Sequence, residues 1–315
     1  MIAKVFKKFN YITIVISTLS LLCISIYYST LEFDWFSFES QILNIIIVFG
    51  SLLLISYSID TVTRALTIER SNRNAYHLIL FPLVVLSFPV ESIDLRFILS
   101  SAAFFSAWRN FRLFLITTRN EQQLKRIFDT AILLSIASLL IFENIALFLF
   151  PLAILLASQI KNIARFIVVL TFTPLVFLPS VFIITKYFSL DNFLFSSYLF
   201  GNQFPMNNDF DLSFIVKSIP FLLIIALYLM GVIIKMMKSS GYQRKALDIA
   251  GILFIIAPFI LISFQKYVSG SEFYYFSLIL VYFIAQIFTK KINSSILNFI
   301  FISLILSIII FNFLI

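Results

Sequence analysis

Residues 11–29 read YITIVISTLSLLCISIYYS, an uncharged and largely apolar run that follows the basic segment MIAKVFKKFN of residues 1–10. A helix needs about 20 mostly apolar residues to cross a bilayer, so this run predicts a membrane-spanning helix. The run is too long for the apolar region of a secretory signal peptide, and no A-x-A cleavage site follows it. We therefore interpret it as a signal anchor that is retained as the first helix.

The rest of the chain continues the same pattern. The 315 residues are 61% hydrophobic and 12% charged, with a mean hydropathy of +1.04, a composition outside that of soluble domains. The predicted spans are residues 10–29, 41–58, 75–90, 96–116, 128–142, 145–159, 166–185, 213–234, 246–263, 273–289 and 294–314. The predicted fold is all-α, one polytopic transmembrane helix bundle over residues 1–315, with about eleven helices, several of them short or kinked.

The basic residues orient this bundle. With the N-terminus in the cytoplasm and alternating spans, all but four of the 23 Lys and Arg residues fall on the cytoplasmic side. The four on the outer side are Arg96, Lys186, Lys217 and Lys266. This sorting follows the positive-inside rule and predicts a multi-pass protein of the bacterial inner membrane. The net charge of +8 then reflects topology, so the lipid bilayer is the expected partner and nucleic acid is not.

Three predicted spans are too short to cross a bilayer unaided. They cover residues 75–90, 128–142 and 145–159, and 15 residues rise only about 22 Å. Irregular backbone at membrane depth must be buried in protein or line a wet cavity, so we expect these spans to shape a polar cavity. One continuous helix through Glu143 is the alternative, but it would invert the charge sorting of every later loop.

Two further segments carry special features. The run FTPLVFLP, residues 172–179, has two prolines and predicts a broken seventh helix. Residues 187–214 mix Phe and Tyr with Asp, Asn and Ser, which predicts an amphipathic outer loop that lies at the membrane interface or covers a cavity.

Two acidic turns on the outer side hold the candidate catalytic groups. Glu32 and Asp34 follow the first span, and Glu91 and Asp94 lie between the third and fourth spans. Carboxylates at the mouth of a cavity can act as a general base or hold a divalent cation that bridges a phosphate. Outer loops are also acidic simply because they avoid Lys and Arg and must be wetted. The sequence leaves both interpretations open and assigns no metal.

Several cations are candidates for binding phosphate. Arg96 and Lys186 sit at outer helix ends beside aromatic residues, where they could bind an anionic headgroup or a lipid-linked phosphate, or pair with an acid such as Asp94. Arg109 and Arg112 lie three residues apart on one helical face, at the cytoplasmic side. They fit either topological anchors or a site for phosphate or anionic lipid.

Other kinds of site are excluded or disfavoured. Cys23 is the only cysteine, which excludes disulfides and thiolate metal clusters, and we expect it to be buried by packing. His77 is the only histidine and has no acid close to it in the sequence, so neither a histidine zinc site nor a Ser-His-acid triad is predicted. Asp60 is expected to pair with a nearby Arg or Lys.

Three runs of the sequence resemble an uncharacterised family of polytopic membrane proteins from Bacteroidota. They are TIERSNRNAYHLILFPLVVLSFP at 67–89, ILSSAAFFSAWRNFRLF at 98–114 and KRIFDTAILLSIASLLIFENIALFLFPLAILL at 125–156. The family implies no established activity.

The same section is similar in layout to the GT-C superfamily of membrane glycosyltransferases, which use polyprenyl-phosphate sugars. The shared elements are paired short helices and acidic outer turns. The resemblance implies a catalytic acid in the first outer loop, at Asp34 or Glu32, and a second acid at Glu91 or Asp94. The chain departs from the superfamily in having a first outer loop of about ten residues and no adjacent Asp-Asp or Asp-Glu.

The leading hypothesis is therefore a membrane glycosyltransferase or glycan polymerase of the cell envelope that uses a lipid-phosphate-linked sugar. In it Asp34, with Glu32, provides the catalytic base, Glu91 and Asp94 bind metal or acceptor, and residues 187–214 cover the site. The phosphate is held by Arg96 and Lys186. The alternative is a non-enzymatic subunit of an envelope assembly or secretion machine that binds other membrane proteins, and a lipid or glycolipid transporter is a third hypothesis.

Overall fold

The computed structural model of the chain describes residues 5–7, 9–31, 33, 40–66, 75–90, 92–157, 162–187, 216–238, 270–288 and 294–311. Within these ranges the fold is all-helical, as predicted. The helices are α1 Tyr11–Tyr28, α2 Gln41–Leu66, α3 Tyr76–Leu86, α4 Leu95–Ile116, α5 Asn120–Leu140, α6 Leu149–Ala157, α7 Ile163–Tyr187, α8 Ile219–Lys238, α9 Ser277–Phe288 and α10 Ser294–Ile309. Two 3-10 segments, Phe142–Phe148 and Ser271–Phe276, precede α6 and α9.

The predicted spans coincide with these helices wherever the chain is described. Only the span at 246–263 lies outside the described residues, so the count of eleven stays a prediction. Three described helical stretches are long and apolar enough to cross a membrane, namely α1, Gln41–Thr61 of α2, and α7. The other apolar helical stretches are shorter. They are Tyr76–Leu86, Asn144–Leu156, Ile219–Ile233, Ser271–Ala285 and Ser295–Ile309.

The chain is interrupted between α5 and α6. Ile141 has extended backbone angles, φ −140° and ψ 108°, and the residues after it form the 3-10 segment Phe142–Phe148. A continuous helix through this region is therefore not formed, as the charge sorting had indicated. The side chain of Glu143 lies outside the described part of the chain.

Helix α7 is continuous, and the prediction of a broken seventh helix was wrong. It spans 25 residues with Pro174 and Pro179 inside it. Each proline removes one backbone N–H donor, but membrane helices tolerate this where side-chain hydroxyls and packing satisfy the nearby carbonyl groups. The carbonyl groups that lose their donor are those of Leu170 and Leu175, four residues before each proline.

Aromatic side chains pack the core between helices. Tyr76 at the start of α3 lies 5.4 Å from the ring of Phe288 and 6.3 Å from that of Phe301, and these two phenylalanines stack at 5.1 Å. Each such pair stabilises the fold by about 0.5–1.5 kcal/mol beyond the contribution of its buried apolar area. Glycine is scarce, with six residues in all, and these contacts between helices are made by aromatic side chains.

The contacts distinguish two ends of the bundle. At one end, where α1 and α3 begin, the backbone N–H of Ala75 donates to the carbonyl oxygen of Phe6 at 2.9 Å. At the other, where they have ended, Phe33 and Ile93 form an isolated parallel bridge. Following the predicted topology, we name the first the inner end and the second the outer end.

The exposure of Cys23 differs from the prediction. The residue lies in α1, but its side chain is exposed rather than buried. The buried face of α1 is formed by other positions, including Leu21, Ile24 and Tyr28, and Cys23 falls between them on the opposite face. A residue inside an apolar run is therefore not necessarily inside the protein, because a membrane helix is apolar on its lipid side as well.

Candidate functional site

The outer turn before α4 is built around Asp94. The first N–H groups of a helix have no partner within the helix, and Asp94 occupies the N-cap position, where its Oδ1 accepts the backbone N–H of Arg96 at 2.9 Å. The backbone N–H of Asp94 donates to Oγ of Ser271 at 3.1 Å, and that hydroxyl donates to the carbonyl oxygen of Ser92. The turn is thus fixed both to α4 and to the segment before α9.

The carboxylate of Asp94 also holds the side chain of Arg96. Nη2 of Arg96 lies 2.6 Å from Oδ2, and Nε lies 3.1 Å from both carboxylate oxygens. The Asp94 side chain is fully buried, whereas 19% of the Arg96 side chain is exposed. Such a two-pronged pairing fixes the plane of the guanidinium group. Asp94 therefore positions Arg96 and the start of α4.

The backbone brings the two acidic outer turns together. Phe33 in the first outer turn forms a parallel bridge with Ile93, the residue before Asp94. Glu32 and Asp34 flank Phe33 in the sequence, and Glu91 precedes Ser92. These three acids lie outside the described residues, as do residues 188–214 of the predicted outer loop. The bridge is the observation that connects their two loops.

A cavity of about 220 Å³ lies at this end of the bundle. Its walls come from the end of α1, the end of α3 with the turn after it, and the residues before α8. The lining residues are Tyr27, Tyr28, Leu31, Leu86, Phe88, Pro89, Val90 and Lys217. Of the three short spans that were predicted to shape a polar cavity, residues 75–90 line this one, whereas residues 128–142 and 145–159 do not.

Lys217 provides the positive charge of this cavity. Its side chain is half-buried, and it forms no ion pair or hydrogen bond with any residue that the structure describes. Among the described residues its ammonium group is therefore available to an anionic ligand. Sequence reasoning counted Lys217 among the outer cations but did not select it. Two features of the sequence could have identified Lys217 as a candidate. It lies on the side that avoids Lys and Arg, and it comes just before the start of a helix that contains a proline.

Lys186 lies apart from the cavity. It is exposed in the last turn of α7, a helix that packs mainly against α5, and it does not line the cavity. Asp94 and Arg96 are thus brought together by the structure, whereas Lys186 is not joined to them by any ion pair or hydrogen bond among the described residues.

A buried polar network supports the outer turn from below. The amide nitrogen of Asn144 donates to Oγ of Ser100 at 2.7 Å, to the Tyr275 hydroxyl at 2.8 Å and to the carbonyl oxygen of Ala137 at 3.1 Å. The Tyr275 hydroxyl in turn donates to Ser100 at 2.6 Å. The network ties both 3-10 segments to α4 and α5.

The expectation that His77 has no acid partner was wrong. Its Nε2 lies 2.8 Å from Oδ1 of Asp60 near the inner end. The two residues are 17 positions apart, and packing of α2 beside α3 brings them together. In the described part of the chain no three His, Cys, Asp or Glu side chains are grouped as metal ligands. A divalent cation at the acidic outer turns stays an open prediction.

Comparison with known proteins finds nothing similar: no family model, no curated protein and no solved structure matches the chain.

Proposed function

We propose that this chain is a multi-pass protein of the bacterial inner membrane that acts as a GT-C-like glycosyltransferase or glycan polymerase on a lipid-phosphate-linked sugar. One observation carries the proposal. The bridge between Phe33 and Ile93 joins the two acid-bearing outer turns at the end of the bundle where Lys217, which has no partner among the described residues, lines a cavity. Transfer from a lipid phosphate needs this combination of a base and a nearby cation.

The chemistry divides between these groups. The hydroxyl oxygen of an acceptor sugar attacks the anomeric carbon of the donor, and the bond from that carbon to the phosphate oxygen breaks. The lipid phosphate leaves with the bonding electrons, and the hydroxyl proton passes to the carboxylate of Asp34, with Glu32 as the adjacent alternative base. Lys217 and Arg96 stabilise the negative charge on the leaving phosphate.

Two roles are revised from those predicted. Lys217 takes the phosphate-binding role that was predicted for Lys186, because Lys217 lines the cavity and Lys186 does not. Asp94 positions Arg96, because its carboxylate is buried against that guanidinium group. Glu91 keeps the predicted role of binding acceptor or metal.

The test uses purified full-length protein with polyprenyl-phosphate-linked mannose and glucose as probes. We expect release or transfer of the sugar, with Asp34→Asn lowering the rate by about 100-fold or more, as loss of a general base does. Lys217→Gln is expected to weaken donor binding about tenfold. Lys186→Gln is the matched control and should leave both quantities unchanged. If the wild-type protein neither binds nor cleaves these probes, or if Asp34→Asn with Glu32→Gln retains the full rate, the proposal is wrong.

A second candidate function rests on α7. In that 25-residue apolar helix only 6% of the most apolar stretch is buried inside the protein, compared with 33% in α1 and 39% in α2. We propose this face as the contact for a partner helix if the chain is a non-enzymatic subunit of an envelope machine. Leu175→Trp on the exposed face of α7 should then abolish copurification of the partner in mild detergent. Retention of the same partners by this variant would contradict the subunit proposal.

A further inference from the structure

Arg109 is placed within α4 and not at its end. It lies seven residues before Ile116, the last residue of the helix, which at 1.5 Å per residue is about 10 Å from the inner end. Its side chain is half-buried. An ionisable side chain at such depth is costly and needs a counter-charge or hydrogen-bond acceptors.

Tyr57 of α2 supports the guanidinium group of Arg109. The central carbon of that group lies 4.6 Å from the centre of the Tyr57 ring. A cation over an aromatic ring is attracted by the negative face of the ring, and the guanidinium group carries five N–H donors. Nε of Arg109 is buried and has no hydrogen-bond acceptor, and Arg109 forms no ion pair within the described residues. The Tyr57 ring therefore supports the group, and among the described residues its N–H donors are left to bind an anion.

Arg112 adds a second positive charge one turn closer to the inner end. Its guanidinium carbon lies 5.8 Å from the ring of Trp108, which is buried at 3% exposure. Arg109 and Arg112 thus project from neighbouring positions of α4, each held against an aromatic ring. The two positive charges attract a phosphate, which can accept paired N–H bonds from the guanidinium group of Arg109.

The exposure of Tyr57 indicates where the phosphate comes from. Its side chain is 55% exposed, and it belongs to Gln41–Thr61, one of the stretches apolar enough to span a bilayer. The Arg109–Tyr57 contact therefore faces the surface that lipid would cover. In the predicted topology this is the cytoplasmic leaflet, where basic pockets between helices bind anionic headgroups.

We propose that Arg109, held on Tyr57 and assisted by Arg112, binds the phosphate of an anionic phospholipid from the inner leaflet. This site is separate from the outer cavity and does not depend on any transferase activity. The bound lipid neutralises the buried guanidinium and covers the junction between α2 and α4.

The test measures lipid binding to the full chain by native mass spectrometry in an uncharged detergent, with phosphatidylglycerol and phosphatidylcholine as probes. We expect phosphatidylglycerol to bind at least about tenfold more tightly, which corresponds to one charge-assisted hydrogen bond. Arg109→Gln should remove this preference, and Tyr57→Leu should weaken it while Tyr57→Phe retains it. Arg119→Gln, which removes an exposed charge before α5, is the control and should bind as the wild type does.

Three results would overturn the proposal. Equal binding of both lipids by the wild-type protein contradicts a preference for a phospholipid with net negative charge, and this measurement does not depend on a variant that must fold. Unchanged phosphatidylglycerol binding by Arg109→Gln places the site elsewhere. Displacement of phosphatidylglycerol by an excess of inorganic phosphate shows that the site takes soluble phosphate compounds instead of lipid.

Discussion

Gly231 of α8 lies directly against the backbone of Phe283 in α9. A Cβ atom on Gly231 would lie 2.2 Å from the carbonyl oxygen of Phe283 and 2.6 Å from its carbonyl carbon. Backbone atoms cannot move aside as the tip of a flexible side chain can. This contact fixes how closely α8, which begins beside the outer cavity, approaches the rest of the bundle.

Replacement of Gly231 by alanine should therefore destabilise the protein. We expect a loss of about 1–3 kcal/mol, the usual cost of overpacking a core, seen as a lower thermal unfolding temperature in detergent. Gly50→Ala is the control, since a Cβ there meets nothing within 4 Å and alanine favours the helix. A Gly231→Ala protein as stable as Gly50→Ala would contradict the close approach of α8 and α9.

Gly270 supports the outer turn in a different way. It has φ +85°, in the left-handed region that favours glycine, and a Cβ would lie 2.3 Å from the carbonyl oxygen of Pro89. Gly270→Ala should loosen the contact between Ser271 and the turn before Asp94. We expect faster amide hydrogen exchange at residues 92–96, with the exchange in α5 unchanged. Exchange that becomes faster by the same factor throughout the chain would instead indicate a global loss of stability.

The helices could be predicted from the sequence because a spanning helix is encoded locally, by a run of apolar residues of the required length. The interruption at Ile141 could also be predicted, because without it the positively charged loops that follow would be placed on the outer side of the membrane. The continuity of α7 could not, because tolerance of Pro174 and Pro179 depends on hydroxyl groups and packing and not on the prolines alone.

The site was less accessible to sequence reasoning, because burial and pairing depend on contacts between distant residues. Asp94 was expected to face a cavity, but its environment is set by Arg96 and by Ser271, which is 177 positions away. Likewise, His77 meets Asp60 only after α2 and α3 have packed. Lys217 is identified by the walls of a cavity that three separate segments form.

The Asp94–Arg96 pair gives a prediction with an internal check. Asp94→Ala removes the helix cap and leaves Arg96 without its carboxylate, so we expect a loss of about 3–5 kcal/mol in the free energy of unfolding. Asp94→Asn keeps the cap and should cost less. Adding Arg96→Met to Asp94→Asn should recover part of the loss, because no cation then remains that has lost the carboxylate of Asp94. A double variant less stable than Asp94→Asn would mean that Arg96 has another partner of equal importance.

The hydroxyl of Tyr275 is expected to stabilise the buried network. It donates to Ser100 and accepts from Asn144, so Tyr275→Phe removes two hydrogen bonds, although the N–H groups of Asn144 keep Ser100 and the carbonyl oxygen of Ala137 as acceptors. The expected cost is about 1–3 kcal/mol, measured by chemical or thermal unfolding, since each hydrogen bond contributes about 0.5–1.5 kcal/mol. Tyr11→Phe removes a hydroxyl from a side chain that is 87% exposed and should change stability by less than about 0.5 kcal/mol. Equal effects of the two substitutions would contradict the network.

The orientation of the bundle can be tested with two exposed threonines, Thr30 at the outer end and Thr118 at the inner end. Cys23 is the only native cysteine, so Cys23→Ser provides a background without thiols. In intact cells lacking an outer-membrane barrier, a membrane-impermeant maleimide should label Thr30→Cys, whereas Thr118→Cys should react only after the inner membrane is opened. This follows from the positive-inside rule, because residues 119–126 carry three cations. The reverse pattern would mean that the Lys217 cavity faces the cytoplasm and that Arg109 lies in the outer leaflet. It would therefore contradict both the transferase proposal and the leaflet assigned to the bound lipid.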